Sequence, residues 1–123
     1  MQKQNMSIKE LEDRLEKFAE QRDWKQYHSP KNLSMALIGE AAELTEHFQW
    51  LTEEQSFNLS GKRKNEVSME IADIFIFLLR MTRQLDIDLI ESVLTKMAIN
   101  EKRFPAEEVK GQQKRFVEYI DEK

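Results

Sequence analysis

Two pairs of acidic residues, each spaced by three positions, are the residues of this sequence best suited to chemistry. Glu40 and Glu43 form the first pair, and Glu70 and Asp73 form the second. Because residues three apart lie on the same side of a helix, each pair would present two carboxylates together. Two ionised carboxylates about 4 Å apart repel by roughly 4 kcal/mol at an effective dielectric of ~20, so convergence of all four requires a cation. Oxygen ligands without His or Cys partners favour Mg²⁺ or Mn²⁺ over zinc.

Two interpretations of the acidic pairs stay open on their spacing. Glutamates three apart are common on solvated helix surfaces, so the first pair alone favours an exposed face. Asp73 favours a site instead, because it lies within the apolar run 71–79, where an unpaired buried carboxylate is costly. Glu40 also occupies a position where the helical pattern expects a core residue. Glu66, one turn before the second pair, is a candidate fifth member of the cluster.

A stripe of hydrogen-bond donors lies further along the chain. Lys96, Asn100 and Arg103 are spaced by four and three positions, which places them on one side of a helix. Such donors bind anionic phosphate oxygens well. The same spacing is equally typical of a solvated basic face, so both interpretations stay open.

The elements that would position these residues are helices. The chain has 123 residues with 3 Gly and 2 Pro, too few turn residues for the many tight turns of an all-β fold. Its length fits one domain over residues 1–123, with a core at about 8–105 and a charged segment at 106–123. Zero Cys excludes disulfides and thiolate metal sites. The net charge of −4 argues against nucleic-acid binding, and no apolar run is long enough to cross a membrane, so we expect a cytoplasmic protein.

Apolar periodicity predicts an all-α bundle of four to five helices. The predicted helices cover residues 8–23, 33–51, 64–85 and 89–103, with Ser7, Asn32 and either Asp86 or Asp88 as N-caps. A connector at 24–31 and a loop at 52–63 separate the first three. The third helix is apolar nearly all round, which predicts a central position with burial on several sides. Three short neighbours cover little of that surface, so we expect a homo-oligomer.

The combined motifs resemble those of a known enzyme family. The E-x-x-E and E-x-x-D pairs, separated by 26 residues, are similar to the signature of the MazG-like all-α nucleoside triphosphate pyrophosphohydrolases. The K-x-x-x-N-x-x-R stripe at 96–103 resembles the phosphate-binding stripe of the same family. Similarity to its dCTP pyrophosphatase branch is carried by RDW at 22–24, H-x-PKNL at 28–33, GEAAEL at 39–44, FQW at 48–50 and KM-x-IN at 96–100. The resemblance covers about residues 10–105.

The resemblance implies an Mg²⁺-dependent hydrolase of deoxynucleoside triphosphates, dCTP-like substrates first, that serves nucleotide-pool house-cleaning. Its products would be a nucleoside monophosphate and pyrophosphate, and its assembly a tetramer or a dimer. It assigns metal binding to the four carboxylates and gives Glu40 the further role of positioning or deprotonating the attacking water. Phosphate binding would fall to the basic stripe. Trp24 and Trp50 match residues that line the nucleobase pocket, although tryptophans are more often core or interface anchors.

Two positions depart from the pattern of that branch. Leu15 stands where the animal enzymes carry a histidine, and Phe77 stands where they carry a tyrosine. Both changes remove a polar group near the nucleotide. The resemblance therefore does not extend to strict selectivity for dCTP.

Two other classes of protein also fit parts of the sequence. A di-iron carboxylate bundle would place acids between helices, but its E-x-x-H ligand pairs are missing because Leu44 and Lys25 precede His47 and His28 by three positions. A non-catalytic helical oligomerisation module would explain the apolar third helix but not Asp73 within it. Neither histidine receives a role.

Overall fold

Helices dominate residues 5–111, the part of the chain that the computed structural model describes. They are α1 Ile8–Gln21, α2 Pro30–Glu46, α3 Glu53–Ser56, α4 Gly61–Gln84, α5 Leu89–Arg103 and α6 Ala106–Val109, with a 3₁₀ turn at Lys25–Tyr27. No strand occurs within the described residues, which confirms the all-α prediction. Ser7 caps α1 and Asp88 caps α5, as predicted. The predicted charged segment at 106–123 lies outside the described residues beyond position 111.

The chain divides into two compact units. The first ends at Ile87 and contains α1 to α4, and the second begins at Asp88 and contains α5 and α6. In the first unit, α4 packs against both α1 and α2, with the larger contact to α2. None of the helices in residues 5–111 is both long and apolar enough to cross a bilayer. The prediction of one domain over residues 1–123 stays a prediction.

The start of α2 differs from the prediction. Ser29 is the N-cap, because its hydroxyl oxygen accepts the backbone N–H of Asn32 at 3.1 Å and Pro30 is the first helical residue. Proline is favoured at this position because its fixed φ suits a helix and its missing N–H would have no partner there. The prediction of Asn32 as the cap is therefore wrong. The Asn32 side chain instead donates to the carbonyl of Tyr27 at 3.1 Å.

The segment between α2 and α4 contains more structure than the predicted loop. Helix α2 ends five residues before the predicted boundary, and residues 47–50 form turns. Thr52 and Gln55 then cap α3 reciprocally, each side chain accepting the backbone N–H of the other at 3.1 and 2.9 Å. Helix α4 begins at Gly61, three residues before the predicted start, because Ser60 supplies a side-chain cap.

Burial is uneven among the apolar residues of α4. Val67 and Leu79 keep only 7% and 1% of their surface exposed, whereas Ile71, Phe75 and Leu78 keep 53%, 37% and 38%. Helix α4 packs against α1 and α2, yet these three apolar side chains stay more than a third exposed in the single chain. The predicted central position agrees with the contacts of α4 to both α1 and α2, whereas part of its apolar surface stays exposed in the single chain.

A buried ion pair joins α1 to α4. The Arg80 Nη1 donates to Glu16 Oε2 at 2.6 Å, and the two side chains are only 3% and 10% exposed. Lys25, which follows α1, contacts the other Glu16 oxygen at 2.7 Å. Burial alone would raise the pKa of Glu16, but the hydrogen bonds and charges of Lys25 and Arg80 lower it to about 2. Asp13 and Arg83 form an exposed pair between the same helices at 2.7 Å. We call Glu16 and Arg80 the buried ion pair.

The buried ion pair predicts how the fold responds to acid. Because the pKa of Glu16 lies at about 2 in the folded chain, below its ordinary 4.5, its contribution to stability is complete above pH 4.5 and is lost as pH falls towards 2. We expect this group to lower the free energy of unfolding by up to about 3 kcal/mol over that range. Urea unfolding at a series of pH values measures the loss.

The matched control is the double variant Glu16→Gln, Arg80→Met. It removes both charges without leaving either one buried and unpaired, so it should fold and should lose this part of the pH dependence. Equal pH dependence in the wild type and the double variant would contradict the prediction.

Candidate functional site

The packing of α2 against α4 brings three of the predicted carboxylates together. Glu40 and Glu43 lie on α2, and Glu70 lies on α4. One carboxylate oxygen from each residue lies within 4.8 Å of the other two. Glu40 and Glu70 are half-buried, whereas Glu43 is exposed, so the group is open to solvent on the Glu43 side. We call these three residues the acidic cluster.

Two buried oxygen atoms of the acidic cluster have no hydrogen-bond donor within the described residues. Burial, hydrogen bonding with Glu70 and the negative charges of Glu43 and Asp73 raise the pKa of Glu40 to about 7. Burial also raises the pKa of Glu70, and the same two charges add to that rise. The Oε2 atoms of Glu40 and Glu70 are buried and meet no N–H or O–H donor within the described residues. Buried carboxylate oxygens without donors are the atoms that a hard cation would satisfy, so the cluster fits a divalent metal.

Asp73 lies beside the acidic cluster and is exposed. It follows Glu70 by three positions on α4, and its charge contributes to the raised pKa values of Glu40 and Glu70. The expectation that it is buried is wrong for the single chain, in which its side chain is exposed. Glu66, the candidate fifth acid, does not belong to the acidic cluster, and its Oε2 lies 3.9 Å from His47 Nδ1.

The end of α1 positions Trp24. Asp23 adopts the left-handed conformation, with φ at 56°. The backbone N–H of Trp24 then donates to the Ala19 carbonyl at 2.9 Å, and that of Asp23 donates to the Glu20 carbonyl at 3.1 Å. In this Schellman arrangement the residue after the left-handed one packs on the last helical turn. The Trp24 ring accordingly contacts Phe18 edge-on, with 5.7 Å between ring centroids, and stays 45% exposed.

Trp50 lies on the turns that follow α2 and is 87% exposed. Near it, the Arg63 side chain from the first turn of α4 donates to the carbonyl of His47 at 3.4 Å, which ties the two ends of this segment together. Trp24 and Trp50 form no ring pair with each other in residues 5–111. Both predicted base-stacking residues are therefore exposed, but they are not in contact.

The basic stripe lies on α5 in the second unit. Lys96, Asn100 and Arg103 follow one side of this helix, whose bounds match the prediction. Lys96 and Arg103 are exposed, and Asn100 is half-buried. Their role in phosphate binding stays a prediction.

Comparison with known proteins decides the family. The MazG-like family model matches residues 38–118, which is about two thirds of the chain and includes both acidic pairs and the basic stripe. The chain belongs to the MazG-like family. The resemblance predicted from the motifs is confirmed, and the all-α fold is the one that this family implies.

Individual relatives of this MazG-like chain carry pyrophosphatase names. A pyrophosphatase from Archaeoglobus fulgidus, known from its crystal structure, superposes with a TM-score of 0.77 at 40% identity and covers 85% of this chain and 98% of that one. The dCTP pyrophosphatase 1 of Homo sapiens is 37% identical over 103 residues, and that of Bos taurus is 38% identical over 96 residues. These two matches cover 82% and 76% of this chain but 61% and 57% of the relatives. The chain thus spans about three fifths of the length of the curated relatives it matches.

Sequence reasoning did not find the buried ion pair of this MazG-like chain. Its two members are 64 positions apart, and only the packing of α1 on α4 shows that they meet. One local signal was present, because Arg80 directly follows the apolar run that ends at the buried Leu79. A charged residue at such a position indicates a buried partner elsewhere in the fold.

The acidic cluster predicts stabilisation by divalent cations. A cation that binds only the folded chain raises the free energy of unfolding by RT ln(1 + [M]/Kd), about 2.7 kcal/mol at a hundredfold excess over Kd. We expect Mg²⁺ or Mn²⁺ to raise the Tm of the wild type and Glu70→Gln to abolish that rise. The metal-free variant should be at least as stable as the wild type, because it has one negative charge fewer in the cluster.

Thermal unfolding with and without the cation measures both effects. Glu66→Gln is the matched control, because it removes an acid one turn away on the same helix but outside the cluster, and it should keep the full rise in Tm. An equal rise in Glu70→Gln and the wild type would contradict the assignment.

Proposed function

We propose that this MazG-like protein is a nucleoside triphosphate pyrophosphohydrolase. It hydrolyses deoxynucleoside triphosphates, dCTP-like substrates first, to a nucleoside monophosphate and pyrophosphate, and so removes unwanted nucleotides from the pool. The observation that carries the proposal is the acidic cluster, whose convergent and uncompensated carboxylates suit a cation that also binds phosphate. The names of the relatives from Archaeoglobus fulgidus and Homo sapiens support the same reaction class.

We propose Mg²⁺ as the cation, with Mn²⁺ as a substitute. Its ligands would come from the acidic cluster together with Asp73, whose exposed carboxylate lies close enough to affect the charge state of Glu40 and Glu70. All of these ligands are carboxylates, which hard divalent cations prefer. When bound, the cation would neutralise negative charge on the phosphate oxygens.

Glu40 is our candidate for positioning and deprotonating the attacking water. Its carboxyl group is half-buried and has one buried oxygen without a donor, so it can hold a water molecule in a fixed orientation. The water oxygen would bond to the α-phosphorus while its proton passes to the Glu40 carboxylate. The bond from that phosphorus to the bridging oxygen would break, and pyrophosphate would leave.

The remaining substrate contacts are assigned to three polar and two aromatic residues. Lys96, Asn100 and Arg103 would bind phosphate oxygens through charge-assisted hydrogen bonds. Trp24 and Trp50 would stack the base, for which their exposed rings are available.

Selectivity for the base follows from the two departures noted in the sequence. Leu15 and Phe77 are half-buried and apolar, so neither provides a hydrogen bond to a base. Loss of such a bond weakens discrimination between bases. We therefore propose a preference for dCTP that is less strict than that of an enzyme with polar groups at both positions.

The uncovered apolar surface of α4 supports a homo-oligomer, a tetramer or a dimer. Ile71, Phe75 and Leu78 are neighbours on this surface and are more than a third exposed in the single chain. Contiguous apolar surface of this kind usually marks an interface. Sedimentation equilibrium should give a mass of two or four chains. A cytoplasmic location and the absence of nucleic-acid and membrane partners stay predictions.

Product analysis tests the proposed function. Purified protein is incubated with each deoxynucleoside triphosphate and Mg²⁺, and the products are separated by chromatography. We expect the nucleoside monophosphate and pyrophosphate, with kcat/KM highest for dCTP or a modified dCTP. A diphosphate with inorganic phosphate would indicate another phosphohydrolase, and no turnover of any nucleotide would favour the non-catalytic oligomerisation module.

Substitutions on α5 test the phosphate contacts. Replacing Lys96 or Arg103 by Ala should lower kcat/KM about tenfold to a hundredfold, because each removes a charge-assisted contact of roughly 1.5–3 kcal/mol. Lys102→Ala is the matched control, since it removes a neighbouring exposed cation outside the stripe and should leave kcat/KM unchanged. Unchanged kinetics in both stripe variants would identify the stripe as a solvated face.

A further inference from the structure

The buried ion pair holds the segment that follows α1 at both of its ends. At one end, Lys25 Nζ contacts Glu16 Oε1 at 2.7 Å. At the other end, Arg80 Nε donates to His28 Nδ1 at 3.2 Å. Gln84, one turn further along α4, donates from Nε2 to the backbone carbonyl of His28 at 2.6 Å. Residues 25–28 are therefore fixed to α1 through Glu16 and to α4 through Arg80.

Trp24 lies directly before this anchored stretch. Its carbonyl accepts the backbone N–H of Tyr27 at 2.9 Å, so the 3₁₀ turn connects its backbone to the two anchors. On its other side, the Trp24 ring rests edge-on against Phe18 of α1. The position of the ring therefore depends on contacts to both α1 and α4, and a shift of residues 25–28 would carry the ring with it.

Joining two helices through a buried ion pair carries a large desolvation cost. Removing two charges from water costs hydration that their attraction only partly returns, and apolar pairs of similar volume often stabilise such a contact equally well. Arg80 Nη2 is buried and has no hydrogen-bond partner within the described residues, so the guanidinium group is not fully satisfied. Its other contacts are directed to Glu16 and to His28. Burial and the charge of Arg80 lower the pKa of His28, which favours the neutral ring that can accept this hydrogen bond.

We propose that the buried ion pair is a positioning device that sets where Trp24 lies relative to α4, the helix that carries Glu70 of the acidic cluster. The inference rests on the proposed function, in which Trp24 stacks the nucleobase. Glu16 acts through Lys25 and Arg80 acts through His28, and neither member of the pair contacts the nucleotide. Stacking of the base contributes equally to the substrate complex and the transition state, so displacement of Trp24 raises KM and leaves kcat nearly unchanged.

The first experiment follows Trp24 without any nucleotide. The chain has 2 Trp, so Trp50→Phe leaves Trp24 as the sole reporter. In that background, Lys25→Met removes the anchor to Glu16 at an exposed position and leaves the buried ion pair intact. We expect a longer emission wavelength and stronger quenching by acrylamide, and Lys25→Arg should restore the parent signal. The double variant Glu16→Gln, Arg80→Met should give the same change as Lys25→Met.

Two matched controls separate positioning from general loosening of the helices. Asp13→Asn removes the exposed ion pair that joins α1 to α4 without contacting residues 25–28. Glu20→Gln removes only the outer contact of Lys25, which is 3.6 Å long and exposed. Both variants should keep the Trp24 emission of the parent.

The second experiment is a kinetic double-mutant cycle with a deoxynucleoside triphosphate and Mg²⁺. Lys25→Met should raise KM about tenfold and change kcat by less than about twofold. Added to Trp24→Leu, the same substitution should change KM by less than about twofold, because its effect passes through the ring that is already absent.

Unchanged Trp24 emission in Lys25→Met would overturn the inference. Additive effects of Lys25→Met and Trp24→Leu on KM would also overturn it, because they would show that Lys25 acts on the nucleotide without Trp24. A parent protein that turns over no nucleotide would contradict the proposed function instead. The two failures are distinguishable, because the emission measurements contain no nucleotide and still decide whether the ion pair positions the ring.

Discussion

Repulsion among carboxylates at the contact between α2 and α4 is the constraint on which the rest of the first unit depends. One carboxylate oxygen from each member of the acidic cluster lies within 4.8 Å of the other two, a separation at which ionised carboxylates repel one another. The folded chain relieves the repulsion by raising the pKa of Glu40 to about 7, which leaves that carboxyl partly protonated near neutral pH. Partial protonation of Glu40 therefore weakens the repulsion at the contact between α2 and α4. A cation that binds the cluster would displace this proton.

Helix α4 contributes to two charged groups, one of opposite charges and one of carboxylates alone. Arg80 has Glu16 as its counter-ion, and that pair lies deep in the contact with α1. Glu70, ten residues earlier and thus about 15 Å away along the helix, lies with the carboxylates of Glu40 and Glu43. The pair of opposite charges joins α1 to α4. The acidic cluster instead retains repulsion between carboxylates, which a bound cation would relieve. Placing both on one continuous helix fixes the distance between them.

The features that depend on local spacing are the ones that the sequence reveals. The helices follow from the apolar period, and the acidic pairs follow from residues three apart, so both were predictable without a fold. The start of α2 was misplaced because Ser29-Pro30 indicates a break and a helix start by the same chemistry: proline excludes helical geometry before it and favours it after. The exposure of Asp73 depends on which neighbours cover α4, and the partner of Arg80 is 64 positions distant. Neither property is a feature of a single helix, so neither could be read from its pattern.

The left-handed residue at the end of α1 has a consequence for how sequences of this family are compared. Asp23, with φ at 56°, occupies a conformation that Gly, Asn and Asp adopt at low cost and that β-branched residues reject. Selection on the backbone alone would therefore restrict this position to those three residues across the family. Because Asp23 is acidic, exposed and adjacent to Trp24, such conservation invites assignment to the catalytic machinery. Its side chain instead accepts a hydrogen bond from Gln26 at 3.0 Å within the same turn. An acid conserved at this position would thus reflect the left-handed backbone conformation and not a catalytic role. Glycine at the same position in other members of the family would support this explanation, because glycine has no side chain that could act in catalysis.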